Sequence, residues 1–260
     1  MGEGIKQQAL PTVSVVMPAY NAQAFIEQAI GSVIAQTIPQ WELLVIDDCS
    51  TDDTCAIVEK LASRDGRIRL LRNEKNLGAA RTRNRGLEQA RGRYIAFLDS
   101  DDIWDPQKLE KQLALMEKTG ADLSCCSYAI INAENEKVRP DYFVPEEISY
   151  KALLRENLLG CSTVILTGEI AKKYRFTVDF YHEDYVLWLQ LVKDGFQAVG
   201  CPEILVNWRL VENSRSFNKF KSAKNRWSIY RKFLKLSVFK SICLICSYTL
   251  AGLRKYRKIP

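Results

Sequence analysis

Acidic residues crowd one short stretch, FLDSDDIW (97–104), in which Asp99, Asp101 and Asp102 directly follow an apolar segment. Like charges this close together disfavour ionisation unless a cation lies among them. In proteins Mg²⁺ or Mn²⁺ is held by one or two carboxylates, with water and substrate phosphates as further ligands. The stretch therefore predicts a divalent metal site, and the alternative is a solvated loop that caps the next helix.

Two more acidic pairs are candidates for chemistry. Asp47 and Asp48 end an apolar run, and Glu183 and Asp184 lie within HEDYVLW (182–188). A positioned carboxylate can remove the proton of a reacting hydroxyl, which is general base catalysis. Acidic residues also stabilise the first turn of a helix without any catalysis, so the second pair fits both interpretations.

These acidic groups need elements that bring them together, and the sequence alternates between two kinds. Apolar runs rich in β-branched residues predict strands at 13–17, 41–46, 67–72, 94–98 and 122–130. Periodic apolar positions predict helices at 25–34, 51–64, 79–91, 106–118, 149–157, 183–194 and 217–235, and Asn21 is expected to cap the first. Such alternation predicts an α/β fold with a mostly parallel sheet flanked by helices. Ligands bind beyond the carboxyl ends of parallel strands, so residues 18–21, 47–48 and 99–102 should share one edge.

The composition is that of an ordinary globular protein with a basic C-terminal end. Of the 260 residues, 47% are hydrophobic and 26% are charged, which suits one large domain with an extension. The net charge of +6 hides an asymmetry, because residues 215–260 contain 13 Lys and Arg and no acidic residue. The rest of the chain has 24 basic and 31 acidic residues. An acidic body with a basic tail predicts that the tail contacts an anionic surface.

The basic end also carries an apolar stretch. Its longest run without charge, residues 241–253, has 13 residues, whereas a transmembrane helix needs about 20. An amphipathic helix on an anionic membrane surface fits this pattern, and packing of its apolar face on the protein is the alternative. The segment lacks the interleaved aromatic and basic residues of nucleic-acid binding, so no nucleic-acid partner is expected.

Cysteine usage and the N-terminal segment predict a cellular location. The eight cysteines lie mostly in apolar surroundings without paired metal-ligand spacing, which is typical of reduced thiols. The segment MGEGIKQQALP (1–11) has no secretion signal. We therefore expect a cytoplasmic protein that lies peripherally at the inner face of the bacterial cell membrane.

Four segments resemble, in order and spacing, the motifs of family 2 glycosyltransferases with the GT-A fold. They are VSVVMPAYN (13–21), VIDDCSTDDT (45–54), NLGAARTRNRGLEQARGRYIAFLDSDD (76–102) and HEDYVLW (182–188). The resemblance covers about residues 12–210 and implies inverting transfer of a hexosyl residue from a nucleotide-sugar, UDP-glucose or UDP-galactose, to a sugar hydroxyl. Small members with such tails resemble bacterial enzymes that build O-antigen or other polysaccharide repeats, which implies a glycan acceptor linked to undecaprenyl diphosphate.

On the donor side, the resemblance implies that the nucleotide base is bound by Pro18, Tyr20 and Asp48. Asp99 matches the residue that contacts the ribose or the metal, and Asp101 matches the ligand of Mn²⁺ or Mg²⁺ itself. Arg83 is a candidate for orienting Asp99 or a phosphate, because a guanidinium group suits oxyanions.

On the acceptor side, Asp184 matches the catalytic base of the family. Glu183 is a candidate for raising the pKa of Asp184 or for binding an acceptor hydroxyl. Arg209 is a candidate for neutralising the leaving diphosphate, although Trp208 replaces the tyrosine that the family often has there. Trp104 is a candidate for stacking on the acceptor sugar, and core packing is the alternative.

The resemblance divides the chain into three parts. We expect an N-terminal extension (1–11), a GT-A catalytic domain (12–215) and a basic amphipathic helical tail (216–260). Within the catalytic domain, residues 12–104 form the nucleotide-sugar-binding half and residues 105–215 the acceptor half.

Two other functions remain open. A haloacid-dehalogenase-like phosphatase also has two aspartates behind a strand, but it requires Thr or Val where Ile103 stands. A non-catalytic protein that binds sugar nucleotides or glycans would not need an intact Asp184. No GxGxxG follows the first strand, which argues against a dinucleotide-dependent oxidoreductase.

Overall fold

The computed structural model describes residues 10–210 and 219–256. The strands are β1 (Val13–Ala19), β2 (Trp41–Asp47), β3 (Ile68–Arg72), β4 (Tyr94–Phe97), β5 (Ile103–Trp104), β6 (Leu123–Ile131), β7 (Lys137–Tyr142), β8 (Glu147–Ile148), β9 (Ile165–Thr167) and β10 (Ala198–Arg209). The α-helices are α1 (Ile26–Ile34), α2 (Thr54–Ala62), α3 (Ala79–Gln89), α4 (Lys108–Thr119), α5 (Tyr150–Arg155), α6 (Gly168–Lys173), α7 (Glu183–Lys193), α8 (Lys219–Ser228) and α9 (Val238–Tyr256). There is also a 3₁₀ turn at Cys161–Thr163 and a π-helical turn at Ile229–Phe233.

The strands form one sheet in the order β3-β2-β1-β4-β9-β6-β10-β5, with β7 beside β6 and β8 beside β10. The first four strands in this order are parallel to one another. β9 then runs antiparallel to both β4 and β6, while β10 is parallel to β6. The predicted α/β architecture, with a mostly parallel sheet flanked by helices, is confirmed.

Both faces of β1, β2 and β4 are buried, which explains why these strands are mostly apolar. Successive side chains point to opposite faces. Val15 and Met17 of β1 join the core under α1, and Val16 joins the core under α3. α3 lies so close to the sheet that a Cβ atom on Gly86 would be 2.4 Å from Val16 Cγ1. The close approach fixes the position of the whole helix, including its polar residues.

The loop after β1 differs from the prediction at Asn21. The N-cap residue of α1 is Phe25, which makes no side-chain hydrogen bond to the helix. Asn21 has a left-handed backbone with a φ of 48°, and its side-chain oxygen accepts a hydrogen bond from the Thr51 amide at 2.9 Å. The Asn21 amide donates to Ser50 Oγ at 2.9 Å. The predicted helix cap is therefore wrong, because Asn21 instead ties the loop after β1 to the loop after β2.

Up to residue 131 the predicted strands and helices are present, with ends shifted by a few residues. Beyond it the three predicted helices correspond to α5, α7 and α8. The sequence does not predict β5 or the strands β7 to β10. β10 contains Pro202 and the exposed Glu203, and its register against β6 shifts twice between residues 201 and 206. Such irregularity breaks the alternation that marks a strand in a sequence.

The tail is only partly separate from the body. The predicted boundary between residues 215 and 216 lies outside the described residues, and so does most of the segment 1–11. Where the chain is described again, it returns to the core, because Ile229 and Tyr230 are fully buried among core residues. The π-helical turn thus belongs to the packing of the body.

Helix α9 has two apolar faces. Leu244 and Ile245 pack against the core, where α9 contacts α5 and α8. Val238, Phe239 and Ile242 are exposed on the other side. The packing expected as the alternative to membrane contact is therefore present for one face of this helix. Among the helices described, none is long and apolar enough to cross a membrane.

Candidate active site

The acidic loop after β4 (residues 99–102) turns sharply and is held by hydrogen bonds to buried residues. The Asp102 amide donates to the Asp99 carbonyl at 3.1 Å, which closes the turn. The Ser162 hydroxyl accepts from the Asp99 amide at 3.0 Å and donates to Asp102 Oδ2. Asp102 also accepts from the Arg209 amide at 2.8 Å and is 1% exposed. Asp102 is therefore a buried structural acceptor, while Asp99 and Asp101 keep the partly exposed positions.

The carboxylates of this loop disfavour one another's ionisation. Burial raises the pKa of Asp101 to about 6, and the negative charge of Asp99 adds to the rise. The pKa of Asp102 also rises, first through burial and then through the charges of Asp101 and Asp99. A nearby cation would stabilise the ionised form of such groups.

Asp101 and Asp99 form a donor set that suits a hard divalent cation. Among the described residues, no other residue donates a hydrogen bond to the Asp101 carboxylate, and Asp99 uses only Oδ1, toward Arg83. The residues that the structure describes include no group of three or more His, Cys, Asp or Glu side chains placed to hold a metal. A cation here would therefore take its other ligands from water and substrate phosphates, as Mg²⁺ commonly does.

Arg83, on α3, connects the acidic loop to α7. Its guanidinium group donates to Asp99 Oδ1 at 2.6 Å and to Glu183 Oε1 at 2.8 Å. Arg83 is 6% exposed, and its guanidinium carbon lies 5.5 Å from the centre of the Phe176 ring. Burial acts to lower the pKa of Arg83, but the charge of Asp99 leads the opposing effects, and the net direction is upward. The predicted contact between Arg83 and Asp99 is present, and the sequence does not predict the contact with Glu183.

Asp184 lies in the first turn of α7, which begins at Glu183. Glu183 is 5% exposed and faces Arg83, whereas Asp184 keeps partial exposure. Burial raises the pKa of Asp184 to about 6, the charge of Glu183 adds to the rise, and Arg83 opposes it. A carboxylate with this pKa binds a proton more firmly than an ordinary aspartate and is still ionised at neutral pH. Both properties suit a general base.

Asp48 follows β2 and faces the start of α3. Its Oδ1 accepts from Asn73 Nδ2 at 2.7 Å and from the Leu77 amide at 2.8 Å. Its Oδ2 accepts from the Gly78 amide at 2.8 Å. A carboxylate offers about four acceptor positions, so one remains for the N–H group of a base. These bonds also join Asp48 to the helix that carries Arg83.

The other two expected base-binding residues lie at the carboxyl end of β1, the neighbour of β2 in the sheet. The Asp48 amide donates to the Ala19 carbonyl at 2.8 Å, which joins the two strand ends. Tyr20 is 52% exposed, so its ring face is accessible for stacking. Pro18 is partly exposed. Pro18, Tyr20 and Asp48 are thus brought together at one edge, as the sequence predicts.

Arg209, at the end of β10, does not serve as a free cation in this structure. It is 1% exposed, and its Nε donates to the Asp101 carbonyl at 2.7 Å. Its terminal nitrogens donate to the Asn132 and Ala133 carbonyls and to the side chains of Gln28 and Asn135. An arginine has five N–H donors, and protein oxygens occupy all five. The expected contact with a leaving diphosphate is therefore not supported, and Arg209 instead holds the backbone of the acidic loop.

Trp104 is a core residue. It is 2% exposed, and its Nε1 donates to the Ser162 carbonyl at 2.9 Å. Lys108 Nζ lies 4.1 Å from the centre of its ring on one face. A ring covered in this way has no face for a sugar, so the expected acceptor contact is wrong and the alternative, core packing, is correct. Trp104 supports Ser162, which in turn supports the acidic loop.

Ser162 is the site residue that sequence reasoning missed. It lies in GCST (160–163), away from every recognised motif, and it is 3% exposed. A single serine among small residues carries no signal of function until the fold places it beneath the acidic loop. The signal that remained was indirect: a buried polar side chain must find hydrogen-bond partners.

Proteins of known class align with this chain over almost its whole length. Residues 14–175 match the model of the family described as Glycosyl transferase family 2. WfgD of Escherichia coli, named UDP-Glc:alpha-D-GlcNAc-diphosphoundecaprenol beta-1,3-glucosyltransferase, is 41% identical over 246 residues, which cover 94% of this chain and 94% of WfgD. TuaG of Bacillus subtilis, whose name assigns it to teichuronic acid biosynthesis as a glycosyltransferase, is 39% identical over 245 residues, or 94% of this chain and 97% of TuaG.

Solved structures confirm the GT-A fold. TarS 1–349 of S. aureus in complex with UDP has a TM-score of 0.71 at 20% identity and covers 96% of this chain and 75% of that chain. The mannosyltransferase PcManGT of Pyrobaculum calidifontis, in complex with GDP-Man and Mn²⁺, has a TM-score of 0.66 at 17% identity. The match covers 97% of this chain and 78% of that chain. The family match extends over more than half of the chain, and the relatives extend over nearly all of it. The chain is therefore a transferase enzyme and belongs to glycosyl transferase family 2.

Proposed function

We propose that the protein is an inverting hexosyltransferase that moves glucose or galactose from a UDP-sugar to a sugar hydroxyl. The proposed acceptor is an O-antigen or other polysaccharide intermediate linked to undecaprenyl diphosphate. The observation that carries the proposal is the double contact of Arg83, which gathers Asp99 and the segment of Asp184 around one guanidinium group.

The names of relatives support this choice of donor and acceptor. WfgD and WfaP of Escherichia coli are both named as enzymes that use UDP-Glc and GlcNAc-diphosphoundecaprenol. TarS has been crystallised with UDP and with UDP-GlcNAc. A uridine diphosphate sugar and a lipid-linked acceptor are therefore the first substrates to test for this chain.

In the proposed reaction Asp184 accepts the proton of the acceptor hydroxyl. The acceptor oxygen forms a bond to C1 of the donor sugar on the face opposite the diphosphate. The C1–O bond to the diphosphate breaks, its electron pair stays on the phosphate oxygen, and the anomeric configuration inverts. Glu183 and Arg83 keep the base in its place at the start of α7.

The donor would be held by residues at the ends of β1, β2 and β4. Tyr20 offers an exposed ring to the base, and Asp48 offers its unused acceptor position. Asp101 and Asp99 would hold Mn²⁺ or Mg²⁺, which when bound neutralises the charge of the leaving diphosphate. The pKa of Asp101, raised first by burial and then by the charge of Asp99, supports this ligand set, because a nearby cation favours the ionised form.

A donor screen tests the proposal. Purified protein is incubated with a panel of nucleotide-sugars, Mn²⁺ or Mg²⁺, and a synthetic GlcNAc-diphosphate-lipid acceptor. We expect transfer from UDP-glucose or UDP-galactose with an inverted anomeric centre, and we expect chelation of the metal to stop it. Asp184→Asn should reduce turnover by about 10²- to 10⁴-fold while UDP still binds, because only the base is lost.

Two results would reject the proposal in favour of the alternatives. A phosphatase would release phosphate from simple esters and would not depend on a nucleotide-sugar. A non-catalytic binding protein would bind the UDP-sugar equally well before and after Asp184→Asn and would turn over none of the donors.

We also propose that α9 attaches the enzyme to the anionic inner face of the cell membrane. Its outer face exposes 79% of Phe239, 52% of Val238 and 48% of Ile242, with the exposed Lys240 among them. Residues 215–260 contain 13 basic residues and no acidic one, which favours an anionic surface. Pairing with a second copy would bring two such basic segments together, which their charge opposes. Membrane attachment would place the site beside a lipid-linked acceptor.

Co-sedimentation with lipid vesicles tests this attachment. The full chain should bind phosphatidylglycerol vesicles at low salt, bind less at high salt, and bind phosphatidylcholine vesicles weakly. Phe239→Ser should weaken binding by about tenfold, because a large apolar side chain no longer enters the lipid. Thr249→Ala, a change at another exposed position of α9, is the control. A full chain that stays in the supernatant with anionic vesicles at low salt would disprove the attachment.

A further inference from the structure

The proposed base lies between two residues that are each held by an arginine. Glu183, on one side of Asp184, bonds to Arg83, which reaches back to the acidic loop. Tyr185, on the other side, lies against Arg226 of α8. The start of α7 is therefore fixed from two directions, and only the first of them belongs to the donor site.

Arg226 is enclosed by tyrosines. Its guanidinium carbon lies 4.4 Å from the centre of the Tyr185 ring and 3.9 Å from the centre of the Tyr248 ring. Its NH1 group donates to Tyr185 Oη at 3.2 Å and to Tyr230 Oη at 3.3 Å. Arg226 is 5% exposed, and no carboxylate of the described chain forms an ion pair with it. Ring faces and hydroxyl oxygens thus stabilise this buried cation, and desolvated contacts of this kind are the strong ones.

The enclosure is anchored to the body of the protein. Tyr185 Oη donates to the Leu153 carbonyl at 2.7 Å, and Tyr230 Oη donates to the Leu154 carbonyl at 2.5 Å. Both carbonyls belong to α5, and Tyr185 and Tyr230 are at most 1% exposed. Only Tyr248, which lies on α9, is contributed by the helix that exposes its other face.

We propose that Arg226 is a positioning residue for the catalytic base, and that it makes the position of the base depend on the docking of α9. Through Tyr185 it fixes the first turn of α7, next to Asp184. Through Tyr248 it requires α9 to lie against α5 and α8. The inference rests on the proposed role of Asp184, and it adds that helix α9 completes the active site as well as offering a surface to lipid.

A purely structural role of the cluster would have different consequences. If Arg226 only stabilised the fold, losing the Tyr248 ring would lower the unfolding temperature and leave each folded molecule unchanged. If Arg226 positions the base, the loss must also loosen the first turn of α7 and slow the chemical step. Arg226 itself is a poor position for the test, because its removal from the core endangers folding.

Three full-length variants of α9 separate these roles. Tyr248→Leu removes the ring that covers Arg226, and Tyr248→Phe keeps it. Thr249→Ala changes the next, exposed position and is the control. Hydrogen–deuterium exchange of the peptide 181–187 reports on the first turn of α7 without any substrate, and that of 94–104 reports on the donor loop.

We expect faster exchange of 181–187 in Tyr248→Leu, unchanged exchange of 94–104, and exchange like that of the unaltered protein in the other two variants. With UDP-glucose, Mn²⁺ and the GlcNAc-diphosphate-lipid acceptor, kcat of Tyr248→Leu should fall about tenfold, as expected for losing one desolvated cation–π contact. The dissociation constant for UDP should stay the same, and Tyr248→Phe should restore kcat.

Unchanged exchange of 181–187 together with unchanged kcat in Tyr248→Leu would overturn the inference, and so would equal losses of kcat in Tyr248→Leu and Tyr248→Phe. If the unaltered protein transfers no sugar, the proposed function fails, whereas the exchange comparison still decides whether α9 holds the start of α7.

Discussion

Replacing Arg83 by methionine should both destabilise the fold and disable the site. Met keeps the length of the side chain but removes the cation bonded to Glu183 Oε1, and the Glu183 side chain is only 6% exposed. Breaking a buried ion pair by removing one partner costs about 3–5 kcal/mol. Asp99 contributes less to this loss, because its side chain is 32% exposed and water can solvate it. We therefore assign most of the destabilisation to Glu183.

The double variant Arg83→Met/Glu183→Met tests that assignment. When both charges are replaced by apolar side chains of similar length, the buried charge of Glu183 is removed together with that of Arg83, and such replacements are often nearly neutral. We expect the double variant to regain at least about 2 kcal/mol of the stability lost in Arg83→Met. Activity should not return, because Asp99 and the start of α7 remain without their common partner. Loss of orientation of this kind lowers kcat by about 10²-fold.

The two quantities are measured separately. Urea unfolding followed by circular dichroism gives the free energy of unfolding of the original protein, both single variants and the double variant. Initial rates of sugar transfer at saturating donor give kcat. A double variant no more stable than Arg83→Met would refute the assignment to Glu183, and a double variant with restored kcat would show that Arg83 has no role in orienting the site.

Three further predictions concern the acids and the residue beneath them. Because burial raises the pKa of Asp184 to about 6 and the base must be ionised, kcat/KM should fall about tenfold per pH unit below that value. An acid limb near pH 4 in a pH–rate profile with saturating Mn²⁺ would contradict this. Asp101→Asn should raise the Mn²⁺ concentration for half-maximal rate and lower kcat about 10²-fold, as one metal ligand is lost, and a metal titration of the rate would show neither change if Asp101 were only part of a solvated loop. Ser162→Ala removes two hydrogen bonds from the acidic loop, each contributing about 1 kcal/mol, so kcat should fall about tenfold and the Mn²⁺ requirement should rise. Unchanged Mn²⁺ titration of Ser162→Ala would count against a role in holding the loop.

The fold of residues 12–104, the proposed donor half, follows from the sequence because its signals are local. β1, β2 and β4 are buried on both faces and therefore read as short apolar runs, each ended by polar residues. The fold of residues 105–210, in the proposed acceptor half, depends on contacts between distant segments. β9 has three residues and lies between β4 and β6 because of what surrounds it, and β10 carries an irregularity at Pro202 that hides its alternation.

The same distinction separates the site residues that the sequence predicts from those it does not. Residue type and spacing predict that the clustered acids have a function, because crowded carboxylates are costly anywhere in a protein unless a cation lies among them. Which acids face a ligand is decided by partners far along the chain: Ser162 and the Arg209 amide turn Asp102 inward. For the same reason, the sequence wrongly suggests that Arg209 and Trp104 bind ligands. Both types bind ligands when exposed, and their burial is set by strand pairing that the sequence does not show.

The position of the proposed base, Asp184, is the clearest case of such long-range determination. The pair Glu183–Asp184 is visible in the sequence, but a helix start rich in acids looks the same with or without catalysis. The structure adds an arginine on either side, Arg83 from α3 and Arg226 from α8. Neither contact has a local signature, because each arginine lies in a stretch of basic residues that resembles a solvated helix face. Buried arginines inside basic helices are therefore the residues to examine first in a sequence of this kind, since the energy of burying them demands a partner, and here both have partners next to the base.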